Sequence, residues 1–180
     1  GNLTHVENPF SVALEGDGFF QIRTESGELQ YTRDGSFEIS PVANGNMLCT
    51  SDGNPVLDAY GNQIILPSNR VATDLVVNQD GTLAFPDGTG NPAVITDANG
   101  RPVKFGIYQF NNPAGLSKEG SNNYSVTVAS GAAVAENGNA AVKQTKTHQY
   151  YTEASNVDVA NEMVNLIVAQ RAYEMNSKAI

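Results

Sequence analysis

The sequence predicts a mainly β chain: an irregular antiparallel β-sandwich or barrel-like module over residues 1–150, followed by a C-terminal amphipathic α-helix over residues 151–180. Three observations predict it. All 17 glycines and all 8 prolines fall before residue 139, so the last part of the chain has lost both residues that punctuate turns. Turn dipeptides recur upstream: Asp17-Gly18, Asp34-Gly35, Asp52-Gly53, Asp80-Gly81 and Asp87-Gly88, with Asn44-Gly45 and Asn99-Gly100 between them. Such pairs suit turns that need a positive φ, which Gly accepts without cost and Asn or Asp more reluctantly. Between the turns apolar residues alternate, whereas near the end they recur at helical spacing.

The strands follow in order. Phe20, Ile22 and Thr24 alternate with Gln21 and Arg23, residues 25–28 supply a turn, and Leu29 to Arg33 form the return strand of a hairpin. Phe20 and Ile22 are expected in the core, with Phe19 on the opposite face. Ser36 to Ile39, Met47 to Thr50, Gln63 to Leu66, Asp74 to Val77 and Thr82 to Phe85 continue the series. Val103 to Phe110 reads as the longest strand, with Val103, Phe105, Ile107 and Gln109 on one side and Lys104, Tyr108 and Phe110 on the other. Residues 111–116 and 117–123 read as loops. Ala129 to Ala141, rich in Ala, Gly and Asn, have few large apolar groups and read as a mobile excursion. Strands about 8 to 12 residues apart with no helical periods between them argue for an antiparallel sandwich or barrel, not a parallel sheet.

From Asn156 the pattern changes. Val159, Met163, Leu166, Gln170, Tyr173 and Ile180 follow the four-and-three spacing of a helix seam, with Val164 and Ile167 widening the apolar face. Ser155 is a candidate N-cap and Asp158, three residues on, suits the positive end of the helix dipole. A helix from 156 to 180 would extend about 37 Å at ~1.5 Å per residue. That is more apolar length than a small β-module covers, and the seam is therefore expected to seek a helical partner.

Charge excludes some functions. The formal net charge of −9 and a pI near 4.5 oppose binding to nucleic acid or to anionic lipid. No apolar run approaches the ~18 residues of a membrane span, so no membrane insertion is expected. No signal-peptide pattern is visible, and because the chain begins with Gly1 it is read as a piece of a longer protein.

The motifs of catalysis are missing. Cys49 is alone, and His5 and His148 have no partner at metal-ligand spacing, so neither a metal nor a disulfide is expected. Gly16-Asp17-Gly18-Phe19-Phe20 could cradle a phosphate, yet it lacks a third glycine, and Phe-Phe opens a strand where a dinucleotide motif needs a helix. No P-loop or G-x-S-x-G elbow occurs. Asn78 to Gly81 and Asp97 to Gly100 are oxygen-rich but do not complete a calcium loop. The expectation is a protein that is not an enzyme and carries no cofactor.

Several stretches resemble a known family. Glu7-Asn-Pro-Phe-Ser-Val-Ala-Leu-Glu-Gly-Asp-Gly-Phe-Phe20, Tyr31-Thr-Arg-Asp-Gly-Ser-Phe37, Phe110-Asn-Asn-Pro-Ala-Gly-Leu116 and Glu153-Ala-Ser-Asn-Val-Asp-Val159 running into Glu162 to Ile180 are similar to motifs of bacterial flagellar rod and hook proteins. The resemblance implies a structural axial protein of the flagellar basal body, located outside the cytoplasmic membrane. It also implies export through the type III apparatus without a cleaved signal peptide, and polymerisation with itself and with adjacent rod and hook proteins to transmit torque. In that family an N-terminal helix pairs with the C-terminal one, which implies that Val159, Met163, Leu166, Gln170, Tyr173 and Ile180 form a subunit interface. It implies a structural role for Gly16, Asp17, Gly18, Phe19 and Phe20. Gln170 to Glu174, and the lack of room for a hook protein's extra outer domain, favour the distal-rod branch over the proximal rod or the hook. From another class, abundant Asn and Asp with exposed Tyr leave a secreted carbohydrate-binding or adhesive β-module as the alternative.

Overall fold

A computed structural model describes residues 2–154. These residues are mainly β, as the turn pattern predicts. The strands are β1 (Leu3–His5), β2 (Val12–Glu15), β3 (Phe19–Arg23), β4 (Leu29–Thr32), β5 (Glu38–Val42), β6 (Gly45–Cys49), β7 (Ile65–Pro67) and β8 (Val76–Val77). They continue with β9 (Leu83–Phe85), β10 (Ala93–Val94), β11 (Ile107–Gln109), β12 (Ser117–Gly120), β13 (Asn123–Ser125), β14 (Val134–Ala135), β15 (Lys146–Gln149) and β16 (Tyr151–Glu153). The largest sheet has six strands in the order β12-β13-β4-β3-β11-β14, and every recorded pairing in it is antiparallel. Smaller sheets are β5-β6-β7, β10-β9-β8, β15-β2 and β1-β16. No helix among the described residues is long and apolar enough to cross a membrane.

Among the described residues His5–Thr152 form one compact unit, and Asn2–Thr4 with Glu153 and Ala154 belong to a second, smaller one. In the smaller unit the Ala154 N–H donates to the Asn2 carbonyl at 2.9 Å. The larger unit holds both apolar clusters, and strand β3 supplies one residue set to each. Phe20 and Ile22 join Val12, Leu14, Phe37, Leu48, Leu66, Leu83 and Phe105 in the main core, where Phe20 meets Phe37 and Phe105 edge-on at 4.9 and 5.2 Å. Phe19 joins Tyr31 and Phe110 in the second cluster, with ring centroids of Phe19 and Phe110 5.5 Å apart. This is the period of two that a strand imposes when both of its faces are covered. Gln21, also buried, donates to the Tyr31 hydroxyl at 3.0 Å, and burial raises the Tyr31 hydroxyl pKa.

One hairpin turn is used five times. At residues 24–28, 50–54, 58–62, 78–82 and 97–101 the first residue's N–H donates to the fifth carbonyl, and the fourth residue's N–H donates back to the first carbonyl. The fourth residue is always glycine, with φ of 91°, 86°, 83°, 89° and 76° at Gly27, Gly53, Gly61, Gly81 and Gly100. These are three-residue loops that close with a left-handed residue, for which glycine has no steric penalty. At four of the five, the side chain of the first residue (Thr24, Thr50, Asp58 or Asp97) accepts the fifth N–H at 2.9–3.2 Å. The pattern is therefore a polar residue followed three positions later by glycine.

Four expectations need correction. Gly18 and Gly35 do not take a positive φ; they are glycines because atoms crowd them. A Cβ on Gly35 would stand 1.7 Å from the Val12 carbonyl oxygen. Val103 to Phe110 is not one long strand: it bridges singly at Lys104 and Phe105, breaks at Gly106 and pairs regularly only in β11. Position 106 needs a glycine, because the Asp58 carbonyl oxygen lies 2.6 Å from where a Cβ would stand. The alternation survives the break, with Phe105 and Ile107 in the main core and Phe110 in the second cluster. Residues 117–123 are not a loop but β12 and the start of β13, joined through Ser121 and Asn122 at φ 53° and 66°. Ala129 to Ala141 are anchored, not a loose excursion: they contain β14, fully buried Ser130 and buried Glu136.

Candidate functional site

The Gly16–Phe20 loop joins β2 to β3 and is held from two sides. On one side the Gly18 N–H donates to Thr145 Oγ1 at 3.0 Å, and that hydroxyl donates onward to Glu136 Oε2 at 2.6 Å. The Thr145 N–H reaches Glu136 Oε1 at 2.8 Å, and Gln109 Nε2 reaches Oε2 at 2.7 Å. A carboxylate that is 3% exposed thus collects three donors and needs no cation. On the other side the Arg33 guanidinium donates from Nη1 to the Gly16 and Gly18 carbonyls at 2.7 and 2.6 Å, and from Nη2 to the Leu14 carbonyl at 3.1 Å. The same guanidinium lies 5.9 Å from the Phe19 ring centroid. Gly16 at φ 132° and Gly18 at ordinary φ leave no room for side chains. A Cβ on Gly18 would come within 2.3 Å of Ile107 Cγ2, 2.7 Å of Thr145 Oγ1 and 2.9 Å of Glu136 Oε2.

This geometry answers the phosphate reading. An anion cradle needs free N–H groups and a positive surround. Here the Gly18 N–H is committed to a hydroxyl, the neighbouring charge is a carboxylate, and the arginine is turned onto carbonyls. The loop is a packing joint, and Asp17 stands exposed at its tip.

Carboxylates elsewhere have similar local duties. A cleft of about 400 Å³ is lined in part by Asp58, Asn62, Asp97 and Arg101. Asp58 Oδ1 accepts the Tyr60 and Asn62 N–H groups, both at 2.9 Å. Asp97 accepts the Asn99 and Arg101 N–H groups and the Arg101 Nε–H. Those bonds, with the Arg101 backbone N–H foremost, hold the Asp97 carboxyl below the usual carboxylate range. The Arg101 guanidinium then lies 3.7 Å from the Tyr60 ring centroid. Among the described residues no group of three or more His, Cys, Asp or Glu is placed to hold a metal.

Of the residues expected to matter, Gly16, Asp17, Gly18, Phe19 and Phe20 come together in this joint. Val159, Met163, Leu166, Gln170, Tyr173 and Ile180 lie outside the described residues. Thr145 and Glu136 were not foreseen, although Glu136 is the sole charged residue between Glu119 and Lys143, which is an available signal.

The model of the flagellar hook protein FlgE/F/G D1 domain matches residues 13–85, and that of the flagellar basal body rod FlgEFG protein C-terminal region matches residues 148–180. A flagellar basal-body rod protein FlgG from Buchnera aphidicola (subsp. Acyrthosiphon pisum) is 36% identical over 187 residues, covering 100% of this chain. The chain belongs to the bacterial flagellar rod and hook protein family. Within this rod and hook family, FlgG of Borreliella burgdorferi is 39% identical over 94% of the chain, and the hook-basal body complex protein FlhP of Bacillus subtilis is 38% identical over 100% of it. The chain spans 63%, 58% and 63% of the lengths of these three relatives. None of their names supports a carbohydrate-binding module. The rod and hook models cover the Gly16–Phe20 loop, Arg33 and the expected seam, whereas Glu136 and Thr145 fall between the two matched ranges.

Proposed function

We propose that this chain is a structural, non-enzymatic subunit of the flagellar rod, in its distal part, which polymerises and carries torque from motor to hook. The names of its relatives as basal-body rod proteins support the rod assignment. In this reading the seam Val159, Met163, Leu166, Gln170, Tyr173 and Ile180 is the subunit interface. The partners are further copies and the adjacent rod and hook proteins, reached after export without a cleaved signal.

The structural observation that carries the reading is the hydrogen bond from the Ala154 N–H to the Asn2 carbonyl at 2.9 Å. It fixes residues 2 and 154 side by side, so a helix ending ahead of residue 1 and a helix beginning after residue 154 would meet at one point and could pair. A head-to-tail contact repeated with a helical offset then propagates without closing. The five short turns, four of them capped by the side chain of their first residue, and the close-packed joint at Gly18 suit a module that must pass on load without deforming.

The test is to compare the 180-residue chain with the complete gene product. The complete protein is expected to gain helicity by circular dichroism and to form filaments visible by electron microscopy. A complete protein with no gain in helicity and no filament would contradict the proposal.

A further inference from the structure

Two buried carboxylates sit in different company. Glu136, 3% exposed, takes donors on both of its oxygens. Asp58, also 3% exposed, takes both of its donors, the Tyr60 and Asn62 N–H groups, on Oδ1. Among the described residues nothing donates to Asp58 Oδ2, and no Lys, Arg or His pairs with it. A buried carboxylate oxygen without a donor is costly, and the large majority of buried polar atoms have one. Asp97 shows what such a donor looks like. It heads a turn of the same kind, accepts the Asn99 and Arg101 N–H groups on Oδ1, and takes the Arg101 Nε–H on Oδ2 at 2.9 Å. In the 58–62 turn the residue at the place of Arg101 is Asn62, which carries no charge.

Asp58 lines the cleft of about 400 Å³, which is on the scale of small-ligand sites. Charge, geometry and the cleft walls together select an occupant. The charged residues lining the cleft are Asp58, Asp97 and Arg101, and Arg101 offsets Asp97, so Asp58 leaves one negative charge to be met. Only one of its oxygens is open. That suits the point charge of an ammonium and not a guanidinium fork, whose two parallel N–H groups need both oxygens. Ile65, Pro67, Ile95 and Val103 line the same cleft and offer apolar surface to an aliphatic stem. A divalent cation instead wants a shell of about six oxygens, and no group of three metal-binding side chains is placed for one among the described residues.

We propose that this cleft binds a primary ammonium group carried on an aliphatic stem, with Asp58 Oδ2 accepting from the ammonium and the stem lying along Ile65, Ile95 and Val103. The site is independent of the terminal seam and of the rod reading. The test is an NMR titration of the 180-residue chain with pentylamine, pentanol, pentylguanidine and Nα-acetyl-lysine methylamide. Pentylamine is expected to move the amide signals of residues 58–62 and 95–103, with pentanol and pentylguanidine weaker by about tenfold or more. D58N keeps Oδ1 for the Tyr60 and Asn62 N–H groups. It is expected to weaken pentylamine binding by about tenfold or more at an unchanged thermal unfolding midpoint. The blocked lysine distinguishes the source of the ammonium. Binding as tight as that of pentylamine marks a lysine side chain of a peptide as the occupant, weaker binding marks a free amine, and either upholds the site. Pentanol or pentylguanidine matching pentylamine, signals that move elsewhere or not at all, or a folded D58N that binds as the parent does would overturn it. The probe series on the unaltered chain decides the matter even if D58N fails to fold.

Discussion

The backbone N–H of Gly18 donates to the hydroxyl of Thr145 across 127 residues of sequence, and the same hydroxyl donates to buried Glu136. One threonine therefore satisfies a loop amide and a carboxylate at once. Thr145→Val, which keeps the shape and removes both bonds, is expected to lower stability by about 2 kcal/mol, because it strands a buried donor and a buried acceptor. Thr145→Ser is expected to recover most of the loss. Urea unfolding of both variants measures this.

Gly18→Ala is expected to destabilise the β-module by ~1–3 kcal/mol through overpacking, since the added methyl would meet Ile107 and Thr145 well inside contact distance. Gly27→Ala is the informative companion. Nothing lies within 4 Å of its added carbon, so its cost of about 1 kcal/mol comes from φ alone. Equal losses at the two sites would refute the distinction between crowded and left-handed glycines.

Arg33→Ala removes three donors from the carbonyls of Leu14, Gly16 and Gly18. A loss of about 2 kcal/mol is expected, with selective loss of amide exchange protection in residues 14–20. Arg33→Lys is expected to restore only part of it, because an ammonium has the charge but not the planar fork.

Acid is expected to weaken the β-module. A hydrogen bond from His148 holds Glu15 below its ordinary pKa, and bonds from the Thr89 side chain and backbone do the same for Asp87. At Asp80 burial pulls upward, but the side chain and backbone of Thr82 outweigh it, and Asp97 is lowered chiefly by the Arg101 backbone N–H. Each carboxyl therefore titrates lower in the folded chain than in the unfolded one. Its contribution is present above the unfolded value of about 4 and is lost as pH falls through the folded value. Relief of the net negative charge acts in the opposite sense, so the comparison should be between variants. Asp97→Asn is expected to have a lower Tm than the parent at pH 7 and to approach it at pH 3. A gap independent of pH would contradict the assignment.

The legible parts of the fold are those written in local pattern. Alternation along Phe19 to Ile22 shows a strand covered on both faces, because successive side chains must part. The turns were legible as Asp-Gly and Asn-Gly pairs, but the physical unit is the first and fourth residues, which is why Tyr60-Gly61 belongs to the set although the dipeptide is no turn signal. Glu136 and Thr145 were not legible as parts of the joint: they meet a loop more than a hundred residues away, and no spacing rule connects them. Ala129 to Ala141 read as loose because the stretch has little apolar area, whereas polar bonds at Ser130 and Glu136 anchor it. Gly106 is a glycine for the sake of the Asp58 carbonyl, a contact that only the folded chain reveals. Seam residues from Val159 to Ile180 rest on helical spacing and family resemblance alone.

The role of that seam is tested most directly by Met163→Asp and Leu166→Asp in the complete protein, with filament formation and swimming measured alongside thermal unfolding of the β-module. Each aspartate would bring an unpaired charge into an apolar helix contact. The expected result is loss of filaments and of motility with an unchanged unfolding midpoint. Normal filaments and normal swimming with both changes present would contradict assembly through the terminal segment.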